Sequence, residues 1–204
     1  MKRHFVALGD SFTEGIGDTV DGLELHSAQD WIALWMQTAN PDMKYTNLAE
    51  RGQRAGEVRS QQMGRALKLE PDLVSIVTGA NDCLRGPFSA EGLKAEMGLM
   101  FGAFESTGAR IFTSVLPDFT SRLELPSLVG ERVKRNLETA NTIITELAER
   151  HRAILFDFRA SGLEARGELW SEDGVHPNAR GYFEIARAVA LLIRANGIEL
   201  EAQP

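Results

Sequence analysis

Cysteine is almost missing from this chain. Its single occurrence, Cys83, excludes an internal disulfide framework. Positive charge is also scarce: 22 Lys and Arg stand against 29 Asp and Glu, a formal net charge of −7. That balance disfavours a nucleic-acid partner, because phosphate backbones are bound by basic surfaces. The densest basic stretch, Arg51, Arg54, Arg59 and Arg65, falls on or beside a polar helix expected over 54–68, with Glu57, and reads as a solvated face. Long apolar runs are absent, so no segment approaches the ~18 residues of a membrane span. The start, MKRHFVALGD, places only Phe5–Leu8 as an apolar run before Gly9, too short for a secretory leader. A cytoplasmic protein is the expectation. Histidines, Cys83 and carboxylates do not cluster with ligand spacing, so no metal is expected. Neither repeats nor a linker interrupt the 204 residues, which suggests one domain over 1–204 with a frayed tail from about 198.

What is present is an alternation. Near-continuous apolar runs at Phe5–Leu8, Lys44–Leu48, Leu73–Val77, Arg110–Val115 and Ala153–Phe158 read as strands covered on both faces. Segments of helical period lie between them. Val133, Leu137, Ala140, Ile144 and Leu147 make one stripe, and Leu93, Met97, Met100, Phe101 and Phe104 make another. Ser27, Ser89 and Asn178 stand where helix N-caps belong, and Gly197 where the last helix stops. Five strand–helix units predict a parallel sheet between two helix layers, with right-handed crossovers. Ligands of such sheets bind beyond the carboxyl ends of the strands.

Those ends carry polar residues. Gly9-Asp10-Ser11 follows the first strand, Gly52 the second, Gly79-Ala80-Asn81-Asp82 the third, and Asp173-Gly174-Val175-His176 the fifth. The set suits acyl transfer. A serine hydroxyl needs a base to take its proton, and imidazole serves near neutral pH. The imidazole needs an acceptor on its other nitrogen, and Asp173 lies three residues before His176 across a glycine turn. The backbone N–H groups of Ser11 and Gly52 and the Asn81 amide are candidate donors to an oxyanion. Asp10 and Asp82 read as structural partners of these loops. Cys83 reads as a small buried hydrophobe, because no second histidine is placed to activate it.

These four blocks, spread over almost the whole chain in order, resemble the SGNH hydrolases, the GDSL-type esterases and lipases. The first block reads GDSF, with Phe12 where leucine is common. The resemblance implies a flavodoxin-like three-layer α/β/α sandwich with a five-stranded sheet of order 2-1-3-4-5. It also implies Ser11 as nucleophile, His176 as base, Asp173 as orienting acid, and an oxyanion hole of Ser11, Gly52 and Asn81. The alpha/beta-hydrolase nucleophile elbow fits less well, because Thr13 stands where a glycine is required.

The expected activity is hydrolysis of a small carboxylic ester through an acyl-enzyme, with a preference for short acyl chains and no cofactor. Acyl transfer to an alcohol, sugar deacetylation, and thioester or lysophospholipid cleavage remain open on the same scaffold. A non-catalytic flavodoxin-like binding module is disfavoured, since the first turn offers Asp10 where a phosphate loop would offer N–H groups and a lysine. Leu84, Phe119 and Trp170, with Phe88, Leu123 and Leu125, lie in long loops at the site end. They are candidates for a substrate wall, for core cover, or for a contact in a homo-oligomer.

Overall fold

The structure is a computed structural model that describes residues 3–200. Five strands, β1 (His4–Gly9), β2 (Lys44–Asn47), β3 (Leu73–Val77), β4 (Arg110–Ser114) and β5 (Ile154–Phe156), form one sheet in the order β2-β1-β3-β4-β5. Every pairing is parallel. Around the sheet lie α1 (Ser11–Glu14), α2 (Ala28–Ala39), α3 (Ala55–Val58), α4 (Gly64–Lys68), α5 (Ala80–Leu84), α6 (Ala90–Ser106), α7 (Ser127–Arg150) and α8 (Ala179–Ala195). This is the three-layer α/β/α sandwich implied above.

The central strands β1 and β3 are buried almost from end to end, which explains why their sequences do not alternate. Helix α6 packs against α7 on one side of the sheet, and α2 packs against α8 on the other. Met97, Met100, Phe101 and Phe104 are fully buried, as are Val133, Ala140 and Ile144 within a few per cent. Both stripes read from the sequence therefore face the core. Ser27 caps α2 in a reciprocal capping box with Asp30, and Asn178 caps α8 by accepting from the Gly181 N–H.

Three expectations need correction. Residues 198–200 are not frayed: Ile198 and Leu200 are buried and join the core beyond α8, while 201–204 lie outside the described residues. A chain end with two apolar residues in reach of a groove buries them. Strand five is shorter than the apolar run, because Phe158 enters the core from a turn. The helix expected over 54–68 is interrupted by a π-helical turn at Arg59–Met63, between α3 and α4. No helix of the described residues is long and apolar enough to cross a membrane.

Candidate active site

Strand β1 ends where its backbone is most crowded. A Cβ on Gly9 would lie 2.4 Å from both the Thr13 hydroxyl oxygen and the Val77 carbonyl oxygen, so only glycine fits there. Asp10 follows as the N-cap of α1 and accepts from the Phe12 N–H at 3.2 Å. Ser11 is thus the first residue of a short helix, and among the described residues its N–H has no protein acceptor. Its hydroxyl donates to Nε2 of His176 at 2.7 Å.

His176 comes from the turn ahead of α8. Its Nδ1 donates to Asp173 Oδ2 at 2.5 Å, and its backbone N–H donates to Asp173 Oδ1 at 2.9 Å. The Val175 N–H donates to the same Oδ1 at 2.8 Å. Desolvation alone would raise the Asp173 carboxyl, but these bonds from His176 and Val175 outweigh it and hold it below its ordinary pKa. Asp173 is therefore an anion where the imidazole needs one. Phe12 packs against the imidazole, ring centroids 5.4 Å apart.

The turn is hooked to the body by polar groups. Ser171 Oγ accepts from the Asp18 N–H at 2.8 Å, and the Asp18 carboxylate accepts from the Glu172 N–H at 2.7 Å. Arg122 donates from Nε to the Gly174 carbonyl at 3.1 Å while its guanidinium lies 3.7 Å over the Trp170 ring. Gly174 has φ 70°, and a Cβ there would come 2.6 Å from the Arg122 carbonyl oxygen.

The oxyanion side is assembled from two further segments. The Gly52 N–H has no protein acceptor among the described residues. Asn81, on α5, donates from Nδ2 to the Gln53 carbonyl at 3.0 Å and makes a long contact of 3.4 Å to Asp10 Oδ2. Buried Gln62 binds both backbone groups of Gly9, at 2.9 and 2.8 Å, and donates to Gln53 Oε1 at 2.7 Å. It ties the end of β1 to the segment carrying Gly52.

The structure brings Ser11, His176, Asp173 and Asn81 to one end of the sheet, with Gly52 on the adjoining loop. Asp10 and Asp82 engage loops as read from the sequence, with Asp82 accepting from the Ala55 N–H at 3.0 Å. Burial pushes the Asp10 carboxyl up to about 7, and lifts the Cys83 thiol, beside Asp82, to about 12. Cys83 is a packed, protonated side chain. The candidate wall does not assemble as expected. Phe119 is fully buried in the core, and Trp170 is buried with its face covered by Arg122, because both rings fill space under the long loops. Leu84 is half-buried against the core.

A small apolar cavity of about 50 Å³ lies instead between the sheet and helices α2 and α8, lined by Phe12, Ile32, Phe112, Pro177 and Tyr182 among others, and neither Ser11 nor His176 lines it. Gln62, Asp18, Ser171 and Arg122 were missed in the sequence. Gln62 alone left a trace, a polar residue between Val58 and Ala66 at core-facing spacing.

Residues 7–182 match the profile of the GDSL-like Lipase/Acylhydrolase family. The chain belongs to that family. GDSL-like hydrolases act on carboxylic esters through a serine, and this chain is a serine ester hydrolase. Among solved structures, the chain is similar to the psychrotrophic esterase EstA from Pseudoalteromonas sp., at 19% identity and TM-score 0.72, covering 97% of this chain and 100% of that one. The acetylxylan esterase Axe2 from Geobacillus stearothermophilus superimposes with TM-score 0.75 at 18% identity, covering 98% and 97%. A lipase/acylhydrolase from Enterococcus faecalis gives TM-score 0.71 at 20% identity, covering 99% of each chain. No curated protein matches the sequence. The GDSL-like family assignment rests on the profile; the solved structures bear on fold.

Proposed function

We propose that Ser11 is the nucleophile, His176 its base and Asp173 the group that orients and charges against the ring. The reading rests on one observation, the unbroken hydrogen-bonded row from the Ser11 hydroxyl through both imidazole nitrogens to the Asp173 carboxylate. In the first half-reaction His176 Nε2 takes the Ser11 proton as Oγ attacks the ester carbonyl. The oxyanion receives the N–H groups of Ser11 and Gly52 and one N–H of Asn81. The long Asn81–Asp10 contact is the one the oxyanion would replace, leaving the stronger bond to Gln53 to hold the amide. The protonated His176 then gives its proton to the leaving alcohol. In the second half-reaction it activates water, which releases the acid and restores Ser11.

The substrate class is a small ester. Phe119 and Trp170 are withdrawn into the core and form no acyl-binding wall beside Ser11, which favours short acyl chains. The test is a series of p-nitrophenyl esters of rising acyl length, run on wild type and Ser11→Ala. Turnover should peak at short chains and fall by about 10⁶-fold in Ser11→Ala, with an unchanged melting temperature. Undiminished activity in Ser11→Ala would remove the assignment. Product ratios in water–alcohol mixtures separate a hydrolase from an acyltransferase.

A further inference from the structure

Five arginines lie in the segments that follow β2 and β3, and they fall into two groups. Arg51 donates to Glu14 at 2.8 Å, Arg59 pairs with Glu96, and Arg65 lies 3.8 Å from Glu50. Arg54 and Arg85 have no carboxylate within 4.0 Å among the described residues. The nearest acids along the chain are already engaged by backbone: Glu57 accepts from the Arg54 N–H at 2.9 Å, and Asp82 from the Ala55 N–H. Neither guanidinium is therefore in a direct ion pair among the described residues, although the Asp82 carboxylate lies within electrostatic reach of Arg54.

The two are also held in place. Arg54 Nη2 donates to the Arg85 carbonyl, so its fork is fixed against the Arg85–Gly86 backbone. Arg85 Nη1 donates to the Gly52 carbonyl at 3.4 Å and lies 3.1 Å from where a Gly52 Cβ would sit. Gly52 has φ 80°, so its open face is the face Arg85 covers. Arg85 is exposed and Arg54 half-buried, so both retain donors for a ligand arriving from solvent. With Arg54 anchored on the Arg85 carbonyl and Arg85 on the Gly52 carbonyl, an anion arriving beside Gly52 can accept from the remaining donors of both forks.

Resting on the ester-hydrolase reading, we propose that Arg54 and Arg85 form an anion subsite beside Gly52, and that the preferred substrate is an ester bearing a carboxylate or phosphate. The subsite selects the substrate through a charge next to the scissile carbonyl. The acyl part and the alcohol part are alternative carriers of that charge, and matched substrates separate them.

The experiment compares kcat/KM within two pairs. On the acyl side the pair is the p-nitrophenyl half-ester of adipic acid and p-nitrophenyl hexanoate. On the alcohol side it is acetylglycerol phosphate and acetylglycerol. One charged member should be preferred by about 10-fold or more at low salt, and the preference should shrink as salt rises toward about 0.5 M. Arg85→Gln, which removes a single 3.4 Å hydrogen bond to the Gly52 carbonyl, and Arg54→Gln should each lower that charged-to-neutral ratio. Arg85→Lys should keep part of it, and Arg187→Gln, on α8, should leave it at the wild-type value. Titration of Ser11→Ala with the same esters reads the preference as binding, so it stands even if turnover has another nucleophile. Equal handling of both pairs by wild type, or a preference that survives loss of both arginines, would overturn the proposal.

Discussion

The two halves of the hydrogen-bonded row are held by different physics. Ser11 sits at the end of a buried strand, where contacts of Gly9 with Thr13 and Val77 leave the chain no room to move. Asp173 and His176 sit on a turn at the surface, with side-chain exposures of 48% and 17%. Apolar contact on that turn is slight: Val175 is half-buried against the core and Phe12 packs on the ring. The turn is held by hydrogen bonds from Asp18, Ser171 and Arg122, each worth about 1 kcal/mol net. Packing fixes the nucleophile, and polar hooks aim the base. Damage to the first should appear as lost stability, and damage to the second as lost turnover in a folded protein.

After loss of the nucleophile itself, the largest expected effect lies on the turn. Asp173→Asn keeps the shape but removes the acceptor that sets the imidazole tautomer, so kcat should fall by about 10⁴-fold with little change in melting temperature. A loss of less than about tenfold would mean that the ring is oriented by something else.

On the packed side the expected effect is a pH dependence of stability. Burial pushes the Asp10 carboxyl from 3.8 up to about 7, with Asp82 adding to it and the Phe12 N–H opposing. The folded protein then keeps a proton that the unfolded chain has released between about pH 4 and pH 7. Stability must fall as pH rises through that window and level off above it, by about 4 kcal/mol in total. Asp10→Asn has no charge to bury. Its stability should gain on wild type by up to that amount between urea melts at about pH 4.5 and about pH 7.5. A wild type that gains on the variant over this range would contradict the burial argument.

Asn81→Ala tests the meeting point of the halves. It should lower kcat by about 10²–10³-fold with KM little changed, the effect of losing one oxyanion donor. An effect on KM alone would make Asn81 a substrate contact instead.

The smallest effects form the sharpest pair. Gly9→Ala should cost about 1–3 kcal/mol by overpacking, read in thermal melts. Asp18→Ala should cost about 1 kcal/mol or less while slowing turnover more than Gly9→Ala does per unit of stability lost. The reverse ranking would erase the distinction between packing and aiming.

Much of this was legible before any coordinates. The parallel sheet between helix layers follows from alternating apolar runs and helical stripes, its order 2-1-3-4-5 from the resemblance to the SGNH hydrolases, and Ser11, Asn81 and His176 stand at strand ends because parallel sheets place sites there. The Asp173–His176 offset is local, so its geometry is written in a few residues. What escaped is long-range. Asp18 reaches Glu172 across 154 positions and Gln62 reaches Gly9 across 53, and no spacing rule encodes such contacts. Phe119 and Trp170 failed as wall residues for a related reason. An aromatic ring in a long loop has two places to hide its area, and core packing took both. The tail misled because its position alone suggested fraying, whereas Ile198 and Leu200 are buried against the core.

The π-helical turn at Arg59–Met63 has a consequence for chain length. A turn closed by i→i+5 bonds stores one more residue than its α-helical neighbours. Losing a residue there would let the segment wind into ordinary helix, with Val58 and Ala66 still seated. The sheet would survive such a deletion, yet the Gln62 carboxamide would be drawn off the two Gly9 backbone groups it now bridges. This protein has a position where shortening the chain would spare the architecture and cost the alignment of its nucleophile.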